Sequence, residues 1–268
     1  MYDLPALESA LTSTVFAGKL HFTRVTGSTN SDAVAAARDG APHGSVFLAD
    51  EQTAGRGRGD HDWISAAGEG LYISVLLRPQ LTVLDALLLP LAAGLAAASA
   101  TRTVSGLDVD LRWPNDLLTG SRKAGGILVE ALNDSKRVPR AVAVVGVGIN
   151  VHQRIFPSGL ATPATSLDVE SGRTISRQSL MFTLLKSLEQ EVDLLSHQDA
   201  RESILSRVEH ASTWIRGRSV QVHGPQSCEG VTAGLDENGF LRVETTAGVV
   251  TVQTGGLREK SQPSAVGH

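Results

Sequence analysis

Apolar positions along the first two thirds of the chain follow two alternating patterns, continuous runs and helical spacing. Continuous runs are typical of strands in the middle of a covered sheet. Strands are predicted at residues 46–49, 71–77, 110–113, 126–130 and 141–147. Helices are predicted at residues 30–38, 84–103, 176–196 and 200–212, with Ser28 or Thr29 as the N-cap of the first. The alternation predicts an α/β (α+β) fold in which helices flank a mixed central sheet.

The pattern changes after Trp214, where short strands separated by turn signals replace the helices. Asp236-Glu237-Asn238-Gly239 has the composition of a hairpin turn. Strands are predicted at residues 219–223, 228–234, 241–245 and 249–252. We therefore expect residues 1–213 to form one domain and residues 214–260 a small β-barrel-like domain. Residues 261–268 contain Ser, Gly and Pro and are expected to fray.

Composition and charge narrow the classes of function. The 268 residues carry a net charge of −4, which argues against broad electrostatic binding of nucleic acid. Cys228 is the single cysteine, so an intrachain disulfide and a cysteine-based zinc cluster are excluded and a reducing compartment is favoured. The N-terminus lacks a signal sequence, and the apolar run 84–98 contains Asp85 and Pro90 and is too short to span a bilayer. We expect a soluble, cytoplasmic protein that does not bind membranes.

Residues 51–63 interleave two arginines with three glycines and end on Trp63. Arg56 and Arg58 supply forked donors suited to phosphate or carboxylate oxygens, and the glycines let the backbone approach a ligand closely. Because ordering a glycine-rich backbone costs entropy, we expect this Arg/Gly loop to become ordered when an anion binds. Two alternatives stay open on this stretch alone: a solvated turn, or a disordered Arg-Gly segment that binds RNA.

Two further motifs place polar groups beside short strands. Arg112-Trp113-Pro114-Asn115-Asp116-Leu117 presents an amide and a carboxylate side by side for a ligand or a cation, although Pro-Asn-Asp is also ordinary turn chemistry. Lys123 stands just ahead of the glycines that enter the strand at 126–130. Lys123 can therefore point to the end of the sheet where the loop arginines converge.

Gly146-Val147-Gly148-Ile149-Asn150 brings small residues to the end of a buried strand. Glycine there admits a flat ligand close to the backbone, and Asn150 offers both a donor and an acceptor. The motif is not a dinucleotide fingerprint, since no third glycine or helix signal follows it, and no P-loop string occurs in the chain. If the protein uses ATP, it holds the nucleotide by other means.

In this order and spacing, the motifs resemble those of biotin protein ligases over about residues 20–258. The segments that carry the resemblance are Gly27-Ser28-Thr29-Asn30, Gln52-Thr53-Ala54-Gly55-Arg56-Gly57-Arg58 through Trp63, Trp113-Pro114-Asn115-Asp116, Lys123 with Gly126-Ile127-Leu128, and Gly146 through Asn150. The resemblance implies a class II synthetase-like catalytic domain followed by a small SH3-like β-barrel domain.

The resemblance also implies a two-step acyl transfer. Biotin and ATP with Mg²⁺ give biotinyl-5′-AMP and pyrophosphate. A lysine on a biotin carboxyl carrier protein or domain, part of an acyl-CoA or pyruvate carboxylase, then receives the biotinyl group. Biotin and ATP are substrates, no permanently bound prosthetic group is expected, and Mg²⁺ is expected to arrive with the triphosphate, its protein ligands unassigned.

Catalytic roles carry over to four positions of this chain. Lys123 resembles the cation that reaches the biotin carboxyl oxygen and the α-phosphate, where positive charge must offset the repulsion between a carboxylate and a polyanion. Arg56 resembles a contact for the phosphate and carboxylate region, and Arg58 the loop arginine that retains the adenylate. Asp116 resembles the carboxylate that assists the second step, either by deprotonating the acceptor lysine or through an orienting hydrogen bond alone.

Binding roles carry over in the same way, residue by residue. Ser28, Thr29 and Gln52 resemble polar contacts to biotin, and Gly126 and Gly148 line its slot. Trp63 resembles the tryptophan that packs against the adenylate, and Asn115 and Asn150 the residues around the adenine and phosphates. The same motifs place four more residues in the binding set: Asn30, Gly55, Gly57 and Ile127. In the C-terminal module, Arg258 is a further candidate contact.

The distal half of the Arg/Gly loop departs from the family pattern. Where the family usually has a third arginine this chain has His61, between Asp60 and Asp62, and histidine is only partly protonated near neutral pH. We expect this half of the loop to contribute little to retaining the adenylate. His61→Arg should slow the release of biotinyl-5′-AMP from the preformed complex, and an unchanged release rate would show that this interpretation is wrong. Arg112 stands where lysine is common, which keeps the charge and alters its geometry.

Two rival functions remain to be separated from the ligase. A lipoate or octanoyl ligase shares the scaffold and the adenylate chemistry, and a non-catalytic biotin-responsive protein would use the same pocket without turnover. Only 26 residues precede Gly27, so we expect no winged-helix domain, no DNA binding and no repressor activity. The sequence leaves open whether the protein is a monomer or a homodimer.

Overall fold

A computed structural model describes residues 2–59, 61–132 and 141–260. It contains a seven-stranded sheet packed against helices and a second sheet of five strands towards the C-terminus. The predicted α/β architecture with a mixed central sheet is thereby confirmed. The predicted tail at 261–268 lies outside the described residues, as does Asp60 of the Arg/Gly loop.

The strands of the main sheet are β1 (Leu20–Thr26), β2 (Ser45–Gln52), β3 (Gly70–Leu77), β4 (Asp110–Arg112), β5 (Asp116–Thr119), β6 (Arg122–Leu132) and β7 (Val142–Asn150). Their spatial order is β1-β2-β3-β7-β6-β5-β4. β1 pairs with β2 in parallel, and the other neighbours are antiparallel. β3 and β7 lie at the centre and are buried almost throughout, as expected for continuous apolar runs.

Helices cover both faces of this sheet. They are α1 (Leu4–Ala10), α2 (Thr29–Arg38), α3 (Val83–Ala86), α4 (Leu89–Ser105), α5 (Leu167–Ser171), α6 (Arg177–Leu194) and α7 (Ala200–His210). α4 packs against α6 and forms the larger core with one face of the sheet. α2 packs on the opposite face, where Ala33 and Ala37 contact a smaller cluster with Leu76 and Val144.

The predicted helix at 84–103 is divided in two by the structure. α3 ends at Ala86 and α4 begins at Leu89, with Pro90 in its first turn. Proline cannot donate a backbone hydrogen bond, so it starts a new helix more readily than it continues one. α4 ends at Gly106, which has a φ of +73° and caps the helix in the left-handed conformation.

The 23-residue sequence 83–105 is also long and apolar enough to cross a membrane by length and composition alone. The sequence analysis considered only residues 84–98 and judged that run too short to span a bilayer, so it underestimated the length of the apolar segment. Most of α4 is nevertheless buried in the protein, against α6 and the sheet. This is the position of a core helix.

The sequence pattern missed several elements and gave the wrong length for others. α1, β1, β5 and α5 were not predicted, and β6 and β7 extend beyond the predicted strands. β1 lies at the edge of the sheet and is largely exposed, so it lacks the apolar run of a central strand. Ser28 occupies the N-cap position of α2, as one alternative proposed, but its side chain makes no capping hydrogen bond.

The second sheet contains β8 (Arg216–His223), β9 (Cys228–Leu235), β10 (Leu241–Thr245), β11 (Gly248–Val252) and β12 (Gly256–Glu259), in the order β11-β10-β9-β8-β12. Its paired strands are antiparallel. The predicted turn at 236–239 does join β9 to β10, since the Asp236 carbonyl accepts from Gly239 N–H and Asp236 N–H donates to Phe240. β12 was not predicted.

Two tryptophans connect the second sheet to the main one. Trp113 Nε1 donates to the Gly239 carbonyl at 3.0 Å. The Trp214 ring is contacted by two guanidinium groups, Arg218 at 4.2 Å and Arg112 at 5.2 Å from the ring centroid. Because Arg112 ends β4, this packing brings the second sheet against the edge of the main sheet.

Candidate functional site

A cavity of about 650 Å³ lies between the main sheet and the second sheet. Its floor includes Gly146, Gly148 and Asn150 of β7. Alternate residues of a strand project to the same face, so these three form one row along the cavity. The second sheet closes the opposite side, where Leu257 and Arg258 of β12 line the cavity.

Trp63 packs over the middle of this row. A Cβ at Gly148 would stand 2.6 Å from Trp63 Nε1, and a Cβ at Gly126 would be 3.5 Å from the indole Cζ3. The two glycines predicted to line a biotin slot therefore admit the tryptophan itself. Trp63 Nε1 is buried against Gly148 and makes no hydrogen bond to any described residue.

Lys123, Asp116 and Arg112 form a chain of charges beside Trp63. Lys123 Nζ is 2.6 Å from Asp116 Oδ1 and lies 5.4 Å from the centroid of the Trp63 ring. Arg112 donates to Asp116 Oδ2 through Nη2 at 2.5 Å and Nε at 3.1 Å. Asp116 thus fixes the Lys123 ammonium at the cavity wall.

The same cations control the protonation of Asp116. Burial alone would raise the pKa of this carboxyl, but the charges of Lys123 and Arg112 outweigh burial and hold the pKa below its usual value of 3.8. A carboxylate held by two cations is a weak base. The geometry favours the orienting role of Asp116 over that of a proton acceptor.

Both arginines of the Arg/Gly loop are held by protein partners. Arg56 forms an ion pair with Glu130 of β6, whose carboxylate also accepts from Asn30 Nδ2 at 2.8 Å. Arg58 donates to the Gly255 carbonyl at 2.6 Å and to Thr254 Oγ1 at 3.1 Å, both in the second sheet's β11–β12 connection. The loop is therefore tied to both walls of the cavity.

A hydrogen-bonded polar cluster lies at the Gly146 end of the row. Gln52 Oε1 accepts from Thr29 N at 2.8 Å, and the Thr29 and Ser74 hydroxyls are 2.7 Å apart. Ser74 in turn donates to Asn30 Oδ1 at 2.5 Å. The Ser28 hydroxyl makes no hydrogen bond within the described part of the chain, so this end offers uncharged polar groups to a ligand.

Two asparagine amides are fixed beside the row, Asn150 at its far end and Asn115 next to Ile127, whose partner Val147 lies in its middle. Asn115 Nδ2 donates to the Ile127 carbonyl at 2.9 Å, and Asn150 Nδ2 donates to the Thr165 carbonyl at 3.0 Å. Each donation fixes the amide plane. Both residues line the cavity, with the amide oxygens left as acceptors.

Almost every residue predicted for the site lines this one cavity. Gly55 is the exception. A Cβ there would stand 2.3 Å from the Trp63 carbonyl oxygen, so this glycine allows the backbones of residues 55 and 63 to lie close together. The sequence analysis missed Glu130 and Gln153, which are close to predicted motifs but carry no pattern of their own. Among the described residues no group of three or more His, Cys, Asp or Glu side chains is placed to hold a metal ion.

A family model described as the biotin/lipoate A/B protein ligase family matches residues 22–150. The matched segment runs from β1 to the end of β7. It therefore includes the Arg/Gly loop, the Lys123–Asp116 pair and the whole row of β7.

Relatives and solved structures extend the match to most of the chain. The sequence is 33% identical over 240 residues to a Mycobacterium tuberculosis protein named biotin–[acetyl-CoA-carboxylase] ligase, covering 86% of this chain and 85% of that one. It is 32% identical over 236 residues to the bifunctional ligase/repressor BirA of Bacillus subtilis, covering 87% of this chain and 71% of that one. The biotin protein ligase of Aquifex aeolicus in complex with biotin and ATP superposes with a TM-score of 0.77 at 28% identity, covering 91% of this chain and 100% of that one.

Proposed function

The chain belongs to the biotin protein ligases of the biotin/lipoate A/B protein ligase family, and from this premise we propose how its cavity acts. The protein is an ATP-dependent ligase that activates biotin as biotinyl-5′-AMP and transfers the biotinyl group to a lysine. The observation that carries this function is the position of Lys123. Its ammonium lies at the cavity wall, 5.4 Å from the centroid of the Trp63 ring and beside Gly126, whose partner on β7 is Gly148.

In the first step, a biotin carboxylate oxygen attacks the α-phosphorus of ATP, and the bond to the bridging oxygen breaks as pyrophosphate leaves. Negative charge must be neutralised where the two anions meet. Lys123 supplies a fixed positive charge there. Asp116 holds its ammonium in place before the substrates bind, so little reorganisation is needed.

Arg56 and Arg58 act at the rim of the cavity. Each is held by a protein oxygen, Arg56 by Glu130 and Arg58 by Gly255. We propose that both guanidinium groups leave these partners and bind phosphate and carboxylate oxygens of the ligand instead. Arg58 then bridges the adenylate to the second sheet, and this contact closes the Arg/Gly loop over the intermediate.

The two uncharged ends of the row fit the two organic parts of the intermediate. We place biotin at the Gly146 end, where Ser28, Thr29 and Gln52 offer donors and acceptors to a ureido ring. The nucleoside lies at the other end, near Asn150, and Asn115 lies beside the middle of the row. The reacting carboxyl and phosphate groups then meet under Lys123, in the middle.

In the second step, the acceptor lysine amine attacks the acyl carbon of the mixed anhydride, AMP leaves with the electrons of the broken C–O bond, and the proton of the attacking nitrogen passes to water. We assign Asp116 a positioning role in this step, because its carboxylate is held by Arg112 and Lys123. It keeps Lys123 directed at the phosphate, where the charge of departing AMP develops.

The partners follow from the same family. We propose that the acceptor is a biotin carboxyl carrier protein or domain of an acyl-CoA or pyruvate carboxylase, encountered in the cytoplasm. Mg²⁺ enters with ATP. We further propose that the five-stranded sheet is the family's SH3-like module and helps to hold the triphosphate through Arg258. This residue lines the cavity, and its guanidinium makes no hydrogen bond or ion pair with the described residues.

Exchange of labelled pyrophosphate into ATP, followed by labelling of an apo carrier domain, tests this function. Biotin should support both reactions, whereas lipoate and octanoate should support neither. Exchange that depends on lipoate in place of biotin would make the protein a lipoate ligase. Tight biotin binding without any exchange would make it a non-catalytic biotin-responsive protein.

A further inference from the structure

Thr254 lines the cavity from the second sheet, and the chemistry above gives it no role. It lies in the connection between β11 and β12, and the residue is exposed. Its Oγ1 accepts a hydrogen bond from Arg58 Nη2 at 3.1 Å. A hydroxyl can accept and donate at the same time, and the Thr254 hydroxyl donates to no residue that the structure describes. Its proton is therefore available to a ligand in the cavity.

Arg58 reaches the second sheet through a single nitrogen of its guanidinium group. Nη2 donates both to Thr254 Oγ1 and to the Gly255 carbonyl, the latter at 2.6 Å. Nε and Nη1 have no hydrogen-bond partner among residues 2–59, 61–132 and 141–260, so the guanidinium keeps donors for anionic oxygens. Burial lowers the pKa of Arg58, and the Asp116 carboxylate partly offsets this effect. The guanidinium is therefore within electrostatic reach of the carboxylate that holds Lys123.

The backbone of Thr254 is fixed by the turn between β8 and β9. Gln226 Oε1 in this turn accepts from the backbone N–H of Gln253 at 2.9 Å and from that of Thr254 at 3.4 Å. A Cβ at Gly255 would stand 2.5 Å from the His223 carbonyl oxygen, so the glycine lets the two connections pack directly against each other. The position of Thr254 is thus set within the second sheet before a ligand binds.

The two acceptors of Arg58 differ in what they can do beside an anion. The Gly255 carbonyl can only accept, so it repels a phosphate or carboxylate oxygen that approaches Arg58. The Thr254 hydroxyl can accept from Arg58 and donate to that same oxygen, and hydrogen bonds to ionised groups are the stronger kind. When Arg58 leaves Gly255 for the ligand, Thr254 can therefore stay bound to both.

We propose that the Thr254 hydroxyl accepts from Arg58, donates to an anionic oxygen of biotinyl-5′-AMP, and so limits the escape of this intermediate from the cavity. The inference rests on the proposed ligase function, in which the adenylate forms in this cavity. His61, between Asp60 and Asp62, adds no permanent cation to the distal half of the Arg/Gly loop. Retention by the loop therefore depends on its arginines, and the second sheet acts on one of them through Thr254.

The rate at which biotinyl-5′-AMP leaves the preformed complex tests the inference. The complex is formed from labelled biotin and ATP, and release is followed after a chase with excess unlabelled biotin and ATP. Thr254→Val keeps the shape of the side chain and removes the hydroxyl, so it should release the adenylate about tenfold faster than the wild type. Thr254→Ser keeps the hydroxyl and should release the adenylate at nearly the wild-type rate.

A double-mutant cycle separates this contact from a general loosening of the second sheet. In the Arg58→Ala background, Thr254→Val should accelerate release by about twofold or less, because the guanidinium that the hydroxyl holds is already gone. Two independent effects on the fold would instead multiply in the double variant.

The control is Thr245→Val in the same sheet, which removes a hydroxyl that donates to the Gly248 carbonyl at 2.8 Å outside the cavity and should leave release unchanged. If Thr254→Val does not fold, Gln226→Leu removes the acceptor that fixes the Thr254 backbone and should also speed release. A folded variant of either residue that releases the adenylate at the wild-type rate, or full multiplication with Arg58→Ala, overturns the inference. Failure of the wild type to form any adenylate would instead overturn the ligase function itself.

Discussion

Replacing Lys123 with alanine is expected to lower kcat/KM for biotin-dependent pyrophosphate exchange by about 10²–10³-fold. The Lys123 ammonium is fixed at the cavity wall, 2.6 Å from Asp116 and 5.4 Å from the centroid of the Trp63 ring. Its removal leaves the charge at the α-phosphate without a preorganised partner. The measurement is the initial rate of label transfer from pyrophosphate to ATP at several biotin concentrations.

A cation distant from the cavity provides the matched control. Lys186 of α6 lies 5.6 Å from the centroid of the Phe182 ring and takes no part in the site, so Lys186→Ala should retain wild-type exchange. Lys123→Arg keeps the charge in a different shape and should recover only part of the activity. If Lys123→Ala exchanges within a few-fold of the wild type, the central role assigned to Lys123 is wrong.

Replacing Asp116 with asparagine is expected to reduce the free energy of unfolding by about 3–5 kcal/mol near neutral pH. The substitution keeps the shape of the side chain and removes the charge that pairs with Arg112 and Lys123. The Arg112 side chain is only 8% exposed, so its guanidinium would remain largely buried without a counter-ion. Urea unfolding of both proteins, followed by tryptophan fluorescence, measures the difference.

The pH dependence gives this prediction a second, independent test. The pKa of Asp116 lies below its usual value of 3.8 because Lys123 and Arg112 outweigh the effect of burial. A carboxyl whose pKa is lower in the folded chain stabilises the fold fully above 3.8, and this stabilisation is lost as pH falls through the folded pKa. The difference between wild type and Asp116→Asn should therefore be constant from neutral pH to about pH 5 and should shrink below 3.8.

Asp85→Asn is the control for this experiment. Asp85 pairs with Arg201 at 2.7 Å, but both side chains are about one third exposed, and exposed ion pairs contribute about 1 kcal/mol or less. The same chemical change should therefore have a small effect. Two outcomes would contradict the role assigned to the buried pair. One is an equal loss of unfolding free energy in Asp85→Asn and Asp116→Asn. The other is a difference between wild type and Asp116→Asn that stays unchanged in acid.

The sequence predicted the members of the site better than their partners. Five short motifs identified Lys123, Asp116 and Trp63, because motif spacing reports which residues share a binding surface. Motif spacing could not identify Glu130 as the partner of Arg56, or Gly255 as the partner of Arg58. These pairs are separated by 74 and 197 residues in the chain, so they depend on how the sheets are placed, which local patterns do not encode.

The elements of the fold divide in a similar way. β3, β7 and α4 were predicted because their apolar residues form continuous runs or helical spacing that only burial explains. β1 was missed because it is an exposed edge strand. β5 was missed because its first residue, Asp116, ends the Pro-Asn-Asp segment, which the pattern assigns to a turn. The neighbour of Gly148 could not be predicted for a related reason: a glycine in a strand indicates that another group lies close, but it does not show that this group is the indole of Trp63.

The two loop arginines are held by partners of different chemical kinds, and this makes them respond differently to ionic strength. Arg56 is bound to a carboxylate in a partly exposed ion pair, which dissolved salt screens. Arg58 is bound to a carbonyl and a hydroxyl, which carry no net charge to screen. In concentrated salt the first half of the loop loosens from the main sheet while Arg58 keeps its hold on the second sheet, so the loop opens from one side.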